Sequence, residues 1–191
     1  MIATQKRYLT CAETAKLIRL ALKREFPGQK FSVRSHVYAG GASINVDWTD
    51  GPTDDAVSAV TSAYSGAGFD GMIDLKYYVT TWLAKDGTVR VAHSPGTESS
   101  RGSVPEFVDE PPSLDAELVH MGADYVFTHR TISPWIMERA KRHVAEDYRG
   151  LSAYEAETQV YRTVRELAFT SKVDLPTIYG GTSHGTHDEP R

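Results

Sequence analysis

Few residues in this chain combine the types and spacing that reactions need. The single cysteine, Cys11, stands at the start of a predicted helix, where a thiolate would be stabilised. A small packed thiol is the favoured account of it, and nothing in the sequence locates a histidine beside it for nucleophilic work. Asp47, Asp50, Asp54 and Asp55 gather oxygen ligands in a short span, but they lack the regular spacing and turn glycine of a calcium loop. Capping of the helix that follows accounts for them. His184, His187 and Asp188 resemble a metal pair only superficially, because a frayed terminus is a poor place to fix ligand geometry. The seven histidines stand in seven separate contexts. Gly40-Gly41 and Gly180-Gly181 lack the glycine, lysine and hydroxyl spacing of a phosphate loop. No Gly-x-Ser-x-Gly elbow, His-Glu-x-x-His or zinc-type cysteine pair occurs. The expectation is therefore no catalytic residue, no metal and no cofactor. An enzyme built on Cys11 or on the Asp47–Asp55 acids is the least favoured reading.

Binding is better represented. Between Lys30 and Pro52, Phe31, Val33, Ser35 and Val37 alternate with Ser32, Arg34 and His36. After Gly40-Gly41, Ala42, Ile44, Val46 and Trp48 alternate with Ser43, Asn45 and Asp47. This is the period-2 pattern of two strands with one buried face, and the glycines supply the turn. With the turn near Ala39-Gly40, Arg34 falls opposite Asn45 and Ser32 opposite Asp47. An ordinary solvated face is one account of this polar row. A partner-contacting face is the other, with Arg34, Asn45 and Asp47 in contact and Tyr38 at its tip. Lys16, Arg19 and Lys23 form a second candidate surface, a basic helical stripe that is either solvated or docks a phosphate or an acidic partner. Arg139, Lys141, Arg142 and His143 give a later helix a similar basic stretch.

The elements that must hold these residues read clearly. Thr10-Cys-Ala-Glu13 is a capping box, and Ala15, Ile18 and Leu22 give the helix after it a buried stripe that ends at Pro27-Gly28. After the hairpin, Asp50-Gly-Pro-Thr53 starts a second helix with Val57, Val60 and Tyr64 inward, and with Pro52 suited to its first turn. Asp74–Ala84 is rich in β-formers, and Asp86-Gly87 signals a two-residue hairpin loop that sets Trp82 opposite Val91 and Ala84 opposite Val89. Ser94–Glu117 turns acidic and rich in Ser, Gly and Pro. Ala123–Ile132 reads as a strand. Ser133-Pro134 and the capping box Ser152-Ala-Tyr-Glu155 open two helices that should form an antiparallel hairpin.

The expected fold is α+β. Two αββ units form a four-stranded antiparallel sheet with helices on one face, followed by a strand and a C-terminal helical hairpin. The expected divisions are a 1–94 αββαββ domain, a 95–117 acidic flexible linker, a 118–175 strand plus helical hairpin, and a disordered 176–191 tail. The net charge of −4 argues against a protein that coats nucleic acid non-specifically. One cysteine rules out an internal disulfide and suits a reducing cytoplasm. No apolar run approaches membrane-spanning length, so no membrane role is expected.

Several runs also carry a likeness: Tyr8-Leu-Thr-Cys-Ala-Glu-Thr-Ala-Lys-Leu-Ile-Arg19, Phe31-Ser-Val-Arg34, Gly41-Ala-Ser-Ile-Asn-Val46, Trp48-Thr-Asp-Gly-Pro52 and Phe69-Asp-Gly-Met-Ile-Asp74. Over the first half of the chain these resemble the large polyvalent protein-associated domain family, the twenty-ninth of that series. The resemblance implies a phage or conjugative-element protein that acts in a newly invaded cell, often against host defences. It implies no catalytic residues. Two functions follow as expectations. The first is a non-catalytic cytoplasmic factor that binds a host macromolecular complex, protein or nucleoprotein, in the manner of an anti-CRISPR. The second is a nucleic-acid-binding accessory domain that uses Lys16, Arg19 and Lys23 with Arg139 and Arg142. An uncovered sheet face or edge would also let two copies pair.

Overall fold

The computed structural model describes residues 6–72, 74–93 and 110–166. In chain order the elements are β1 (Arg7–Tyr8), α1 (Cys11–Glu25), β2 (Phe31–Tyr38), β3 (Gly41–Thr49), α2 (Asp54–Thr61), β4 (Ala67–Asp70), β5 (Leu75–Tyr78), β6 (Thr80–Leu83), β7 (Val89–His93), β8 (Glu117–His120), β9 (Tyr125–Thr131), α3 (Pro134–Asp147) and α4 (Ala153–Glu166). The expected α+β class holds.

The helix starts follow from local chemistry. Thr10 accepts the Glu13 amide while the Glu13 carboxylate accepts from the Thr10 backbone N–H, and Ser152 and Glu155 repeat the arrangement for α4. Ser133 caps α3 with Pro134 at its first position. For α2 the cap is Thr53, so Pro52 sits just outside the helix. Its carbonyl accepts the Trp48 indole N–H at 3.0 Å.

The β2–β3 hairpin has the expected register: Arg34 pairs with Asn45 and Ser32 with Asp47 across a turn at Ala39-Gly40. Of the two glycines, only Gly40 needs a positive φ (93°). Gly41 is favoured by crowding instead. A Cβ there would stand 2.2 Å from a carboxylate oxygen of Asp124 and 3.1 Å from the Tyr38 ring.

The second hairpin, β6–β7, is one residue out of the expected register. Trp82 faces Arg90, and Leu83 faces Val89. The loop holds three residues rather than two: the Ala84 amide bonds the Thr88 carbonyl, Gly87 takes φ 85°, and Asp86 accepts from both the amide and the hydroxyl of Thr88.

The two hairpins do not share one antiparallel sheet. Each sheet is mixed, or completed by strands from later in the chain. β3 is flanked on its second side by β9, in parallel, to give the order β2-β3-β9. β6 is flanked by β8, which in turn pairs in parallel with β1, to give β1-β8-β6-β7. β9 and β8 thus take the second edges of β3 and β6, and the two hairpins lie in separate sheets. The stretch expected to be a single strand, Asp74–Ala84, breaks at Val79. Its first part, β5, pairs with β4 in a two-stranded ribbon.

α1 lays Ala15, Ile18 and Leu22 on the inner face of β2 and β3, against Ile44, Val46 and Trp48. Val57, Tyr64, Val119, Met121 and Ala123 complete that core. α3 and α4 pack on each other through Ile136, Ala140, Val144, Val160 and Val164. Of the expected acidic linker, residues 95–109 lie outside the described residues, as does the whole 176–191 tail. Glu117 belongs to β8. Among the described residues, no helix is long and apolar enough to cross a membrane.

Candidate binding face

β2, β3 and β9 turn one set of side chains toward the core and the other away from it. Register fixes three outward rows: His36, Ser43 and Tyr125; Arg34, Asn45 and Phe127; Ser32, Asp47 and His129. α1 covers only the opposite face. Arg34, His36, Phe127 and His129 are exposed, while Asn45 and Asp47, on the central strand, are half-buried. The later helices do not seal this platform. Among the described residues, none of Arg34, His36, Asn45, Asp47 or His129 has a side-chain hydrogen bond or ion pair. Tyr125 and Phe127 lie with ring centroids 6.2 Å apart along β9. Tyr38, 52 % exposed, stands at the turn end of the face. At the other end a shallow groove of about 660 Å³ is lined by Lys30, Ser32, Asp47 and Thr131.

The row Ser32, Asp47, His129 holds the residue types of a hydrolase triad, but in the wrong order. The acid is central and separates the hydroxyl from the imidazole, so no base reaches the nucleophile. Cys11 is buried. Its Sγ donates weakly to the Ser43 carbonyl at 3.7 Å, and burial pushes the thiol pKa up, the reverse of activation. The acids near Asp47 in sequence have separate duties. Asp50, at φ 56°, accepts the Ser133 amide at 2.8 Å, and Asp54 and Asp55 occupy the first turn of α2. Among the described residues, no three His, Cys, Asp or Glu side chains gather to hold a metal.

The sequence-predicted contact residues fall into two groups. Arg34, Tyr38, Asn45 and Asp47 share the outward sheet face. Lys16, Arg19 and Lys23 belong to the helical layer, beside the free edge of β2. All three are exposed, and Arg19 also donates to the Val33 carbonyl at 2.5 Å. That contact occupies an acceptor which a second copy's strand would use for edge pairing.

Sequence reasoning missed the third column of the face, Tyr125, Phe127 and His129. Their alternation is legible, but a parallel pairing with β3 leaves no turn signature. It also missed Arg130, whose guanidinium, on the inward side, donates to the carbonyls of Asp50 (3.1 Å), Gly51 (2.9 Å) and Val164 (3.2 Å). This residue fastens α4 to the loop after β3. Asp124 was missed as well; it holds the Lys76 ammonium at 2.8 Å and the Ala42 amide at 3.2 Å.

A family model for large polyvalent protein associated domain 29 matches residues 9–133. The chain belongs to that family. Membership makes this a phage- and mobile-element-associated polyvalent-protein domain. The matched segment runs well past the first half of the chain. It ends at the cap of α3, so it takes in β8 and β9, the strands that complete both sheets, and leaves out the helical hairpin. No curated protein and no solved structure matches the chain.

Proposed function

We propose that this polyvalent-protein domain is a non-catalytic binding module that acts in the host cytoplasm. The outward face of β2, β3 and β9 docks a host protein or nucleoprotein complex and so counters a host defence system such as a CRISPR effector. The observation that carries the reading is the face itself, a sheet whose Arg34, Asn45, Asp47 and His129 side chains have no hydrogen-bond or ion-pair partner among the described residues and lie beside two half-open aromatic rings. Groups held in fixed positions with unspent hydrogen-bonding capacity lose little entropy when a partner engages them. Arg and aromatic side chains are the types that anchor interfaces. Family membership supports the mobile-element setting, and the same setting supports an anti-defence role. Neither candidate nucleophile has the geometry a reaction needs.

The test is capture of a purified CRISPR effector complex by the tagged protein, wild type against the double variant R34A/F127A. The wild type should retain it stoichiometrically with little salt dependence. The variant should weaken binding about thirtyfold or more, the effect of losing a central anchor, while its unfolding free energy stays within about 0.5 kcal/mol of wild type. Absence of any stoichiometric partner, in this capture and in one from host lysate, would remove the reading. So would capture that R34A/F127A leaves intact.

A further inference from the structure

A second exposed cluster lies away from the polar rows, where β1, β5 and β8 meet. Tyr8 and His120 are register partners in the parallel β1–β8 pair, with ring centroids 5.4 Å apart. Tyr78 meets the same imidazole edge-on at 5.5 Å. His120 is anchored, because its Nδ1 lies 3.1 Å from the Val79 carbonyl and donates to it. The two tyrosines are not buried by this contact: Tyr8 is 71 % exposed and Tyr78 60 %. An ammonium stands over each, Lys6 at 5.9 Å from the Tyr8 centroid and Lys76 at 5.3 Å from that of Tyr78. Lys76 is held in place from the inner side by the mostly buried Asp124. Phe69, opposite Lys76 in the β4–β5 ribbon, adds a third exposed ring.

We propose that this cluster is a stacking site for single-stranded DNA, with bases on Tyr8 and Tyr78 and phosphates on Lys6 and Lys76. The chemistry selects the ligand. Exposed rings held by an anchored imidazole are a platform for planar groups, and every base has a π-face. Two flanking ammoniums reject a cationic ligand, which an aromatic cluster would otherwise suit, and favour a polyanion. Duplex DNA keeps its bases stacked on each other and offers these rings nothing. Single-stranded DNA is the named ligand, and RNA is an outcome of the test. The site stands whether or not the sheet face docks a protein, since it shares none of Arg34, Asn45, Asp47 or Phe127.

The experiment is fluorescence anisotropy of labelled oligo(dT), about 12 nucleotides long to suit a small single-strand site, titrated with the full chain at about 50 mM salt. Wild type should bind, with a log–log salt slope of roughly −1.4, two phosphates at about 0.7 each. Y8S/Y78S should weaken binding at least tenfold, since each stacked base is worth about five- to a hundredfold. Y8F/Y78F should restore it, and K16A/K23A, on α1, should leave it unchanged. The proposal is overturned by any of four results: no binding at about 100 μM protein, where even weak non-specific contacts register; unchanged affinity in Y8S/Y78S; loss of binding in K16A/K23A; or equal or tighter binding of duplex DNA or oligo(rU). R34A/F127A serves as the cross-check, because it should weaken partner capture and spare oligo(dT).

Discussion

Replacing Arg130 with methionine should destabilise the protein by about 2–4 kcal/mol, and the figure follows from three named bonds. The guanidinium donates to the carbonyls of Asp50, Gly51 and Val164. A hydrogen bond to a charged group contributes about 1.5–3 kcal/mol net, and a carbonyl stranded without a donor adds to the loss. The side chain is half-buried, so water can reach some of those carbonyls once the guanidinium is gone. That discounts the simple sum by roughly half. Methionine keeps the apolar stem and isolates the loss of donors. In a chain of this length the change corresponds to a midpoint lowered by roughly 5–15 °C. Lysine offers a single ammonium where three separated carbonyls wait, so R130K should recover less than half of the loss. Urea unfolding followed by far-UV circular dichroism measures the total. Hydrogen exchange of α4 amides measures whether the helix comes loose first. Should R130M unfold within about 0.5 kcal/mol of wild type, the range of an ordinary surface change, Arg130 does not fasten α4.

Gly122 lies against the start of α1, where a Cβ would stand 2.2 Å from the Thr10 carbonyl carbon and 2.3 Å from the Leu9 oxygen. Both are backbone atoms that cannot swing aside, so G122A should cost about 2–3 kcal/mol by chemical denaturation, and a neutral result would show that the β8–β9 turn can move away. His120 has its pKa lowered by burial from 6.5, so the unfolded chain takes up a proton more readily than the folded one. Stability carried by the neutral ring is therefore present above about pH 6.5 and is lost as pH falls through the lowered folded value. Thermal midpoints from pH 7.5 downward should fall more steeply in wild type than in H120N, and parallel curves would show that the ring titrates freely.

The parts of the fold legible in sequence are those whose causes are local. Thr10, Ser133 and Ser152 mark helix starts because a cap is a contact between residues three apart. Gly40 marks a turn because few other residues tolerate its φ. The β2–β3 register could be read because a two-residue loop leaves one alignment that buries Ile44 and Val46. The β6–β7 register slipped by one because Asp86 turns its side chain onto Thr88 and widens the loop, a preference that Asp-Gly alone does not distinguish. The sheet partners were out of reach for another reason. β9 joins β3 and β8 joins β6 across dozens of residues, and long-range pairing is decided by which edge is free once the core has formed. Half of the candidate face followed that divide: Arg34, Asn45 and Asp47 were visible as a row, whereas Phe127 and His129 joined it only through β9.

The two candidate surfaces differ in a way that a salt titration separates. On the sheet face, register sets one cation, Arg34, and one anion, Asp47, among neutral polar groups and aromatic rings, so opposite charges nearly cancel over a short distance. Such an array projects little net field beyond a Debye length of about 10 Å at 0.1 M salt, and contacts made there depend on fit rather than on long-range attraction. At the Tyr8–His120–Tyr78 cluster, an ammonium stands over each exposed tyrosine and one of them, Lys76, shares its charge with the mostly buried Asp124, so the Lys6 charge favours a polyanion against the overall charge of −4. A nucleoprotein partner that used both surfaces would therefore lose only part of its affinity as salt rises. The remainder would be the sheet-face contribution, removable by R34A/F127A, and the salt-sensitive part, carried by Lys6 and Lys76, would vanish in K6A/K76A.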